Sequence, residues 1–158
     1  MTALVWLCKR ETLRVSKLWT QTVLAPVISS TLFILVFGLS LGDRIRSIDG
    51  VDYEVFIVPG LITMAMVQAA YANNSASVFQ AKFDRYLNDI LAAPMRAWEV
   101  NVGLSIGGVV RALLIGGGLL ACIVPFVDVP VREPLVLLAA LALVLVLFAS
   151  FGVVVGIY

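Results

Sequence analysis

Four stretches of this sequence are long and apolar enough to form helices that span a bilayer. Residues 18–42 and 55–81 carry no charge, residues 100–127 carry only Arg111, and residues 134–158 are again uncharged. A helix crossing the hydrocarbon core needs about 20 consecutive apolar residues. Periodicity alone does not separate such windows from buried core helices, but their length and spacing do. Composition agrees: 61% of the residues are hydrophobic, 13% are charged and the mean hydropathy is +1.05. A soluble domain carries roughly twice that charged fraction. The expected fold is therefore all-α, a single polytopic transmembrane helix bundle with four spans.

Orientation follows from lysine and arginine placement. The arm at residues 1–17 holds Lys9, Arg10, Arg14 and Lys17, and the segment at residues 82–99 holds Lys82, Arg85 and Arg96. The two short polar connectors on the other side hold only Arg44, Arg46 and Arg132. The N terminus and the middle segment are thus expected in the cytoplasm. Positive charges follow the first short apolar run and no small-residue cleavage site comes after them, so no cleavable signal is expected.

The arm mixes Leu4, Trp6, Leu7, Leu13 and Val15 with basic residues, and Trp19 follows. Two readings stand side by side: an amphipathic helix in the headgroup layer, or a basic flank that only sets topology.

Inside the windows, Gly38 and Gly42, Gly103 and Gly107, and Gly152 and Gly156 repeat the GxxxG spacing. Each pair lets a neighbouring backbone approach closely. Arg111 costs about 2.5–3.5 kcal/mol at mid-membrane on insertion scales. Gly107, Gly108 and Gly118 share its helix face, so that face is expected to turn inward. Arg111 reads either as a pathway residue or as a cation paired to helix carbonyls or neighbouring polar groups. The second window has a polar inner half, with Gln68, Tyr71, Asn73, Asn74, Ser75 and Ser77. Gln68, Asn73 and Asn74 either bond across helices or line a route for a polar headgroup.

Several function classes are excluded. Net charge is +1, so no electrostatic case exists for nucleic acid as a partner. Histidine is absent, and no serine has a partner base. The two cysteines, Cys8 and Cys122, suggest neither a disulfide nor a metal pair. Gly116 to Gly118 runs into Leu119 and Leu120 rather than a phosphate-binding GK[ST]. The chain is expected to be no enzyme, and an ATP-driven process would need its motor on another chain.

The segment at residues 82–99 carries more detail than a bare connector requires. Read as one helix, Phe79, Phe83, Leu87, Ile90 and Leu91 form an apolar stripe, Arg85 and Asp89 make an i,i+4 pair, and Pro94 ends the element. Lipid and a docking protein are equal candidates for what covers that stripe.

The whole chain resembles the membrane (permease) subunit of type-2 ATP-binding cassette (ABC) exporters. The resemblance rests on the basic arm leading to Ala25-Pro26, on VPGLITMAMVQAAYANNSASVFQAKFDRYLNDILAAP, and on SIGGVVRALLIGGG. It implies that residues 82–99 carry a coupling helix, with Phe83, Tyr86, Leu87, Ile90, Leu91 and Pro94 forming or positioning the contact with a nucleotide-binding ATPase subunit. It implies that the arm is the family's interfacial helix and that a second permease copy completes a homodimer in membrane lipid. ATP and magnesium would bind the partner subunit, with no cofactor or metal in this chain. Family members typically have six spans, so a sequence stopping at Tyr158 is expected to be a fragment. A small four-span scaffold or assembly protein is the alternative. An ion-coupled transporter is disfavoured because no acidic residue lies centrally in a span.

Overall fold

The computed structural model describes residues 2–42, 47–48, 51–125, 127 and 133–158. The fold is an all-α bundle whose four long helices are apolar enough to cross a membrane. Helix α1 covers Thr2–Lys17, a π-helical turn covers Thr20–Leu24, and α2 covers Ala25–Gly42. A two-residue antiparallel pair, β1 (Ser47–Ile48) with β2 (Val51–Asp52), joins α2 to α3. Helix α3 covers Tyr53–Phe83, α4 Leu87–Ala92, α5 Ala97–Ile123 and α6 Pro134–Ile157.

Local chemistry places several ends. Glu99 accepts a hydrogen bond from the backbone N–H of Arg96 at 2.8 Å and caps the start of α5. Pro134 opens α6, where a missing N–H costs nothing. Ala93 is extended, with ψ 144°, as the residue before Pro94 must be, so α4 stops at Ala92.

The core is a stripe on α3 that recurs every three or four residues. Val58, Ile62, Met66, Ala69 and Ala70 pack against Ala112, Ile115, Leu119 and Ile123 of α5 and against Leu145 and Ala149 of α6. Glycine sets how close the helices come. A Cβ on Gly108 would stand 2.6 Å from the carbonyl oxygen of Ala70, and one on Gly152 would stand 2.5 Å from that of Tyr71. A Cβ on Gly156 would meet the Val78 Cβ at 2.8 Å. Helices α5 and α6 therefore lie directly on the backbone of α3. The GxxxG pair Gly152 and Gly156 faces α3 as a unit.

The pair Gly103 and Gly107 serves a different partner. Added Cβ atoms there would meet Leu7 and Glu11 of α1, and one on Gly118 would meet Val27 of α2 at 3.0 Å. The face around Arg111 does turn inward, but Gly108 leaves it for α3. Gly38 and Gly42 lie in the last part of α2, and their surroundings fall outside the described side chains.

Helix α1 buries Leu7, Glu11 and Val15, a spacing of four that puts all three on one face. Trp6 and Leu13, grouped with Leu7 and Val15 in the amphipathic reading, point outward. The arm is thus a helix docked on protein along one side, with Trp6, Lys9 and Leu13 on the other.

Candidate functional site

The connector between α3 and α5 is the first part of the site. The stripe expected on one continuous helix is broken: α3 ends at Phe83, and Arg85 takes a left-handed φ of 61° before α4 begins. A non-glycine residue in that region interrupts a helix, so residues before and after the break no longer share a face. Among the described residues the Arg85–Asp89 pair is not formed.

The break splits the six expected contact residues. Phe83 is 79% exposed and Leu91 62% exposed, and Pro94 is exposed as well. Ile90 faces the other way. It is 9% exposed and packs with Leu7, Val78, Leu104 and Val153. Tyr86 lies under the guanidinium of Arg10, 4.4 Å from its centre, a cation–π contact worth about 0.5–1 kcal/mol at a surface. Leu87 is half-buried and lines, with Leu91, Met95, Leu104 and Phe151, an apolar groove of about 760 Å³. Helix α4 is therefore clamped on one side by α1 and bare on the other.

A buried polar network lies behind the clamp. Glu11 is 0% exposed. Its Oε2 pairs with Arg14 Nη2 at 3.3 Å and accepts the Ser77 hydroxyl at 2.9 Å. Arg14 also donates to the backbone and side-chain oxygens of Asn73, each at 3.4 Å. Asn73 donates to Asn74 Oδ1 at 3.3 Å, and Asn74 donates to the carbonyl of Ala149 at 2.9 Å and of Ser105 at 3.5 Å. The chain of bonds runs from α1 through α3 to α5 and α6. Asn73 and Asn74 thus hold helices together. Glu11 Oε1 and Ser105 Oγ are buried with no hydrogen-bond partner among the described residues.

Arg111 donates through Nε to the carbonyl oxygen of Thr22 at 2.9 Å, inside the π-helical turn. A helix carbonyl was one of its two expected partners. Gln68 sits apart, at the midpoint of α3, exposed and lining a groove of about 320 Å³ with Ser29, Ser30, Phe33 and Met64.

Glu11 and Arg14 were not among the sequence candidates. The signal for Glu11 was present: a carboxylate midway between Leu7 and Val15 on an otherwise apolar helical stripe. Its location in an arm rich in charge hid it. Among the described residues no group of three or more Cys, Asp and Glu side chains is placed to hold a metal ion.

Comparison with known proteins gives this geometry a family. The chain is 38% identical over 149 residues to the inner membrane transport permease YadH of Escherichia coli strain K12, a match covering 94% of this chain and 58% of the relative. The same figures hold for YadH of Escherichia coli O157:H7 and of Shigella flexneri. The chain thus spans a little over half the length of these relatives. No solved structure matches it. The relatives and the four long helices make it a multi-pass inner-membrane protein. The family description "ABC-2 type transporter" matches residues 2–158, the whole arm, connector and four-helix bundle, and the chain belongs to that family.

Proposed function

We propose that this chain is the membrane permease part of an ATP-driven exporter, with its N terminus and connector on the cytoplasmic side. The observation that carries the proposal is the two-sided character of α4. A helix of six residues is far too short to be stable alone. Here it is pinned by Ile90 and Tyr86 while its own Leu91 stands in the open, and Phe83 is exposed at the end of α3 just before the break. A large apolar side chain held outward on a pinned helix is suited to a pocket on another protein. That protein would be a nucleotide-binding ATPase subunit carrying ATP and magnesium. A second copy of the permease would complete the assembly, and the cargo would be a drug, lipid or polysaccharide-type molecule.

The chain itself would perform no chemistry. Closure of the motor would push α4, and the push would enter the spans through side chains rather than through a continuous helix, because the helix is interrupted at Arg85. The test is co-purification of the intact permease with its ATPase. Leu91→Glu and Phe83→Glu should each abolish retention of the ATPase while the permease melts as the parent does. Unchanged retention in both variants would remove the docking role and leave a non-transporting membrane scaffold as the better account.

A further inference from the structure

A buried group and a half-buried one on facing helices keep unused bonding capacity. Both partners of Glu11, Arg14 and Ser77, bind the same oxygen, Oε2, and Oε1 has none. Arg111 engages Thr22 through Nε alone; among the described residues its two terminal nitrogens make no hydrogen bond. The groups lie close. Glu11 packs on Gly107, where an added Cβ would be 3.1 Å from its own, and Arg111 follows four residues later on the same face of α5. That is one helical turn, about 6 Å. Arg14, the ion-pair partner of Glu11, is within electrostatic range of Arg111.

The surroundings favour movement along this line. Gly103 and Gly107 give α1 a track without side chains on α5. The turn at Thr20–Leu24 is π-helical, so it holds one residue more than an α-turn and can absorb a change of register. The carbonyl that Arg111 holds belongs to that turn. A carboxylate with a free oxygen and a guanidinium with two free nitrogens form a stronger bond with each other than the guanidinium forms with a neutral carbonyl.

We infer that Glu11 and Arg111 are the two halves of an exchangeable ion pair: Arg111 releases the Thr22 carbonyl and takes Glu11 Oε1 when α1 shifts by about one residue along its glycine track. Helix α1 is then an element with two positions, packed against α4 through Leu7 and Arg10 and hydrogen-bonded to α3 through Glu11 and Arg14. The proposed function enters only as the source of the push. In this role Glu11 and Arg111 are positioning residues.

The experiment uses the full-length protein in lipid vesicles with Arg111→Lys, which keeps the cation and supplies a primary amine. A lipid-soluble carbodiimide joins a carboxylate to an amine only where the two meet, and mass spectrometry of the digest reads the product. An amide between Glu11 and the lysine at 111, absent when Glu11→Gln is added, is expected. Adding Ser77→Ala should raise its yield about fivefold, the population shift of one deleted hydrogen bond. Recovery of Glu11 unlinked in both the single and the Ser77→Ala variants, whether free or as the acylurea, overturns the exchange. So does an equal yield in the two, because a static contact would not respond to Ser77. The assay contains no ATPase, so its failure leaves the docking of α4 to be judged separately by co-purification.

Discussion

The side-chain amide of Asn74 donates to the backbone carbonyl of Ala149 at 2.9 Å, crossing from the second long helix to the fourth. Its acceptor is already part of the α6 ladder, so the bond is an addition to a satisfied helix rather than a repair. Interhelical bonds of this kind contribute about 0.6–2 kcal/mol in membranes. Asn74→Ala should therefore lower the stability of the bundle by about 1–2 kcal/mol, measured by thermal unfolding in detergent. Gln68→Leu, which deletes an amide with no partner among the described residues, should leave the midpoint unchanged or raise it.

Glycines in the spans should divide into two sharply different classes. Gly152 has the Tyr71 carbonyl where a Cβ would go, whereas Gly117 has nothing within 4 Å. Gly152→Val should cost about 3 kcal/mol through forced separation of α6 from α3. Gly117→Ala should be neutral within about 0.5 kcal/mol or slightly stabilising through helix propensity. Parallel thermal scans of the two variants check the contrast.

The clamp on α4 should yield to loss of its cation–π contact without loss of the bundle. Tyr86→Ala or Arg10→Ala is expected to raise amide hydrogen exchange in residues 87–92 severalfold, in line with about 0.5–1 kcal/mol. Exchange in α3 and α6 should not change. Tyr86→Phe keeps the ring face and should behave as the parent.

Opposite faces of α4 should fail in opposite ways. Ile90→Asp places a charge in the cluster of Leu7, Val78, Leu104 and Val153, and should depress the melting midpoint strongly. Leu91→Glu, one residue on but exposed, should leave the midpoint within experimental scatter and act only on binding of the proposed partner subunit.

What could be read from the sequence depended on the kind of signal. Spans were legible because hydrophobic length is a property of the chain alone, and Pro94 was legible because its effect on Ala93 is steric and local. The break at Arg85 was not, since nothing in KFDRYLND marks a left-handed residue as a glycine would have done. Arg111 was legible as an inward residue, and its choice of the Thr22 carbonyl required the π-helical turn, which composition does not announce. Glu11 lay on a spacing of four with Leu7 and Val15, yet only the three-dimensional docking of α1 tells a buried acid from one that snorkels to water. The glycine pairs spoke for close packing in general. Which pair received α1 and which received α3 was decided by the arrangement of the whole bundle.

The partners of Asn74 also set a timetable for making the protein. Its acceptors at Ser105 and Ala149 lie 31 and 75 residues further along the chain. At 5–20 residues per second, the second acceptor leaves the ribosome about 4–15 s after the asparagine. For that interval α3 must occupy the insertion machinery or the bilayer with a polar amide that has, at most, the longer of its two interhelical bonds. Helix α3 should therefore linger beside the insertase until α6 is synthesised, and nascent chains arrested before Ala149 should crosslink to it from positions near Asn74.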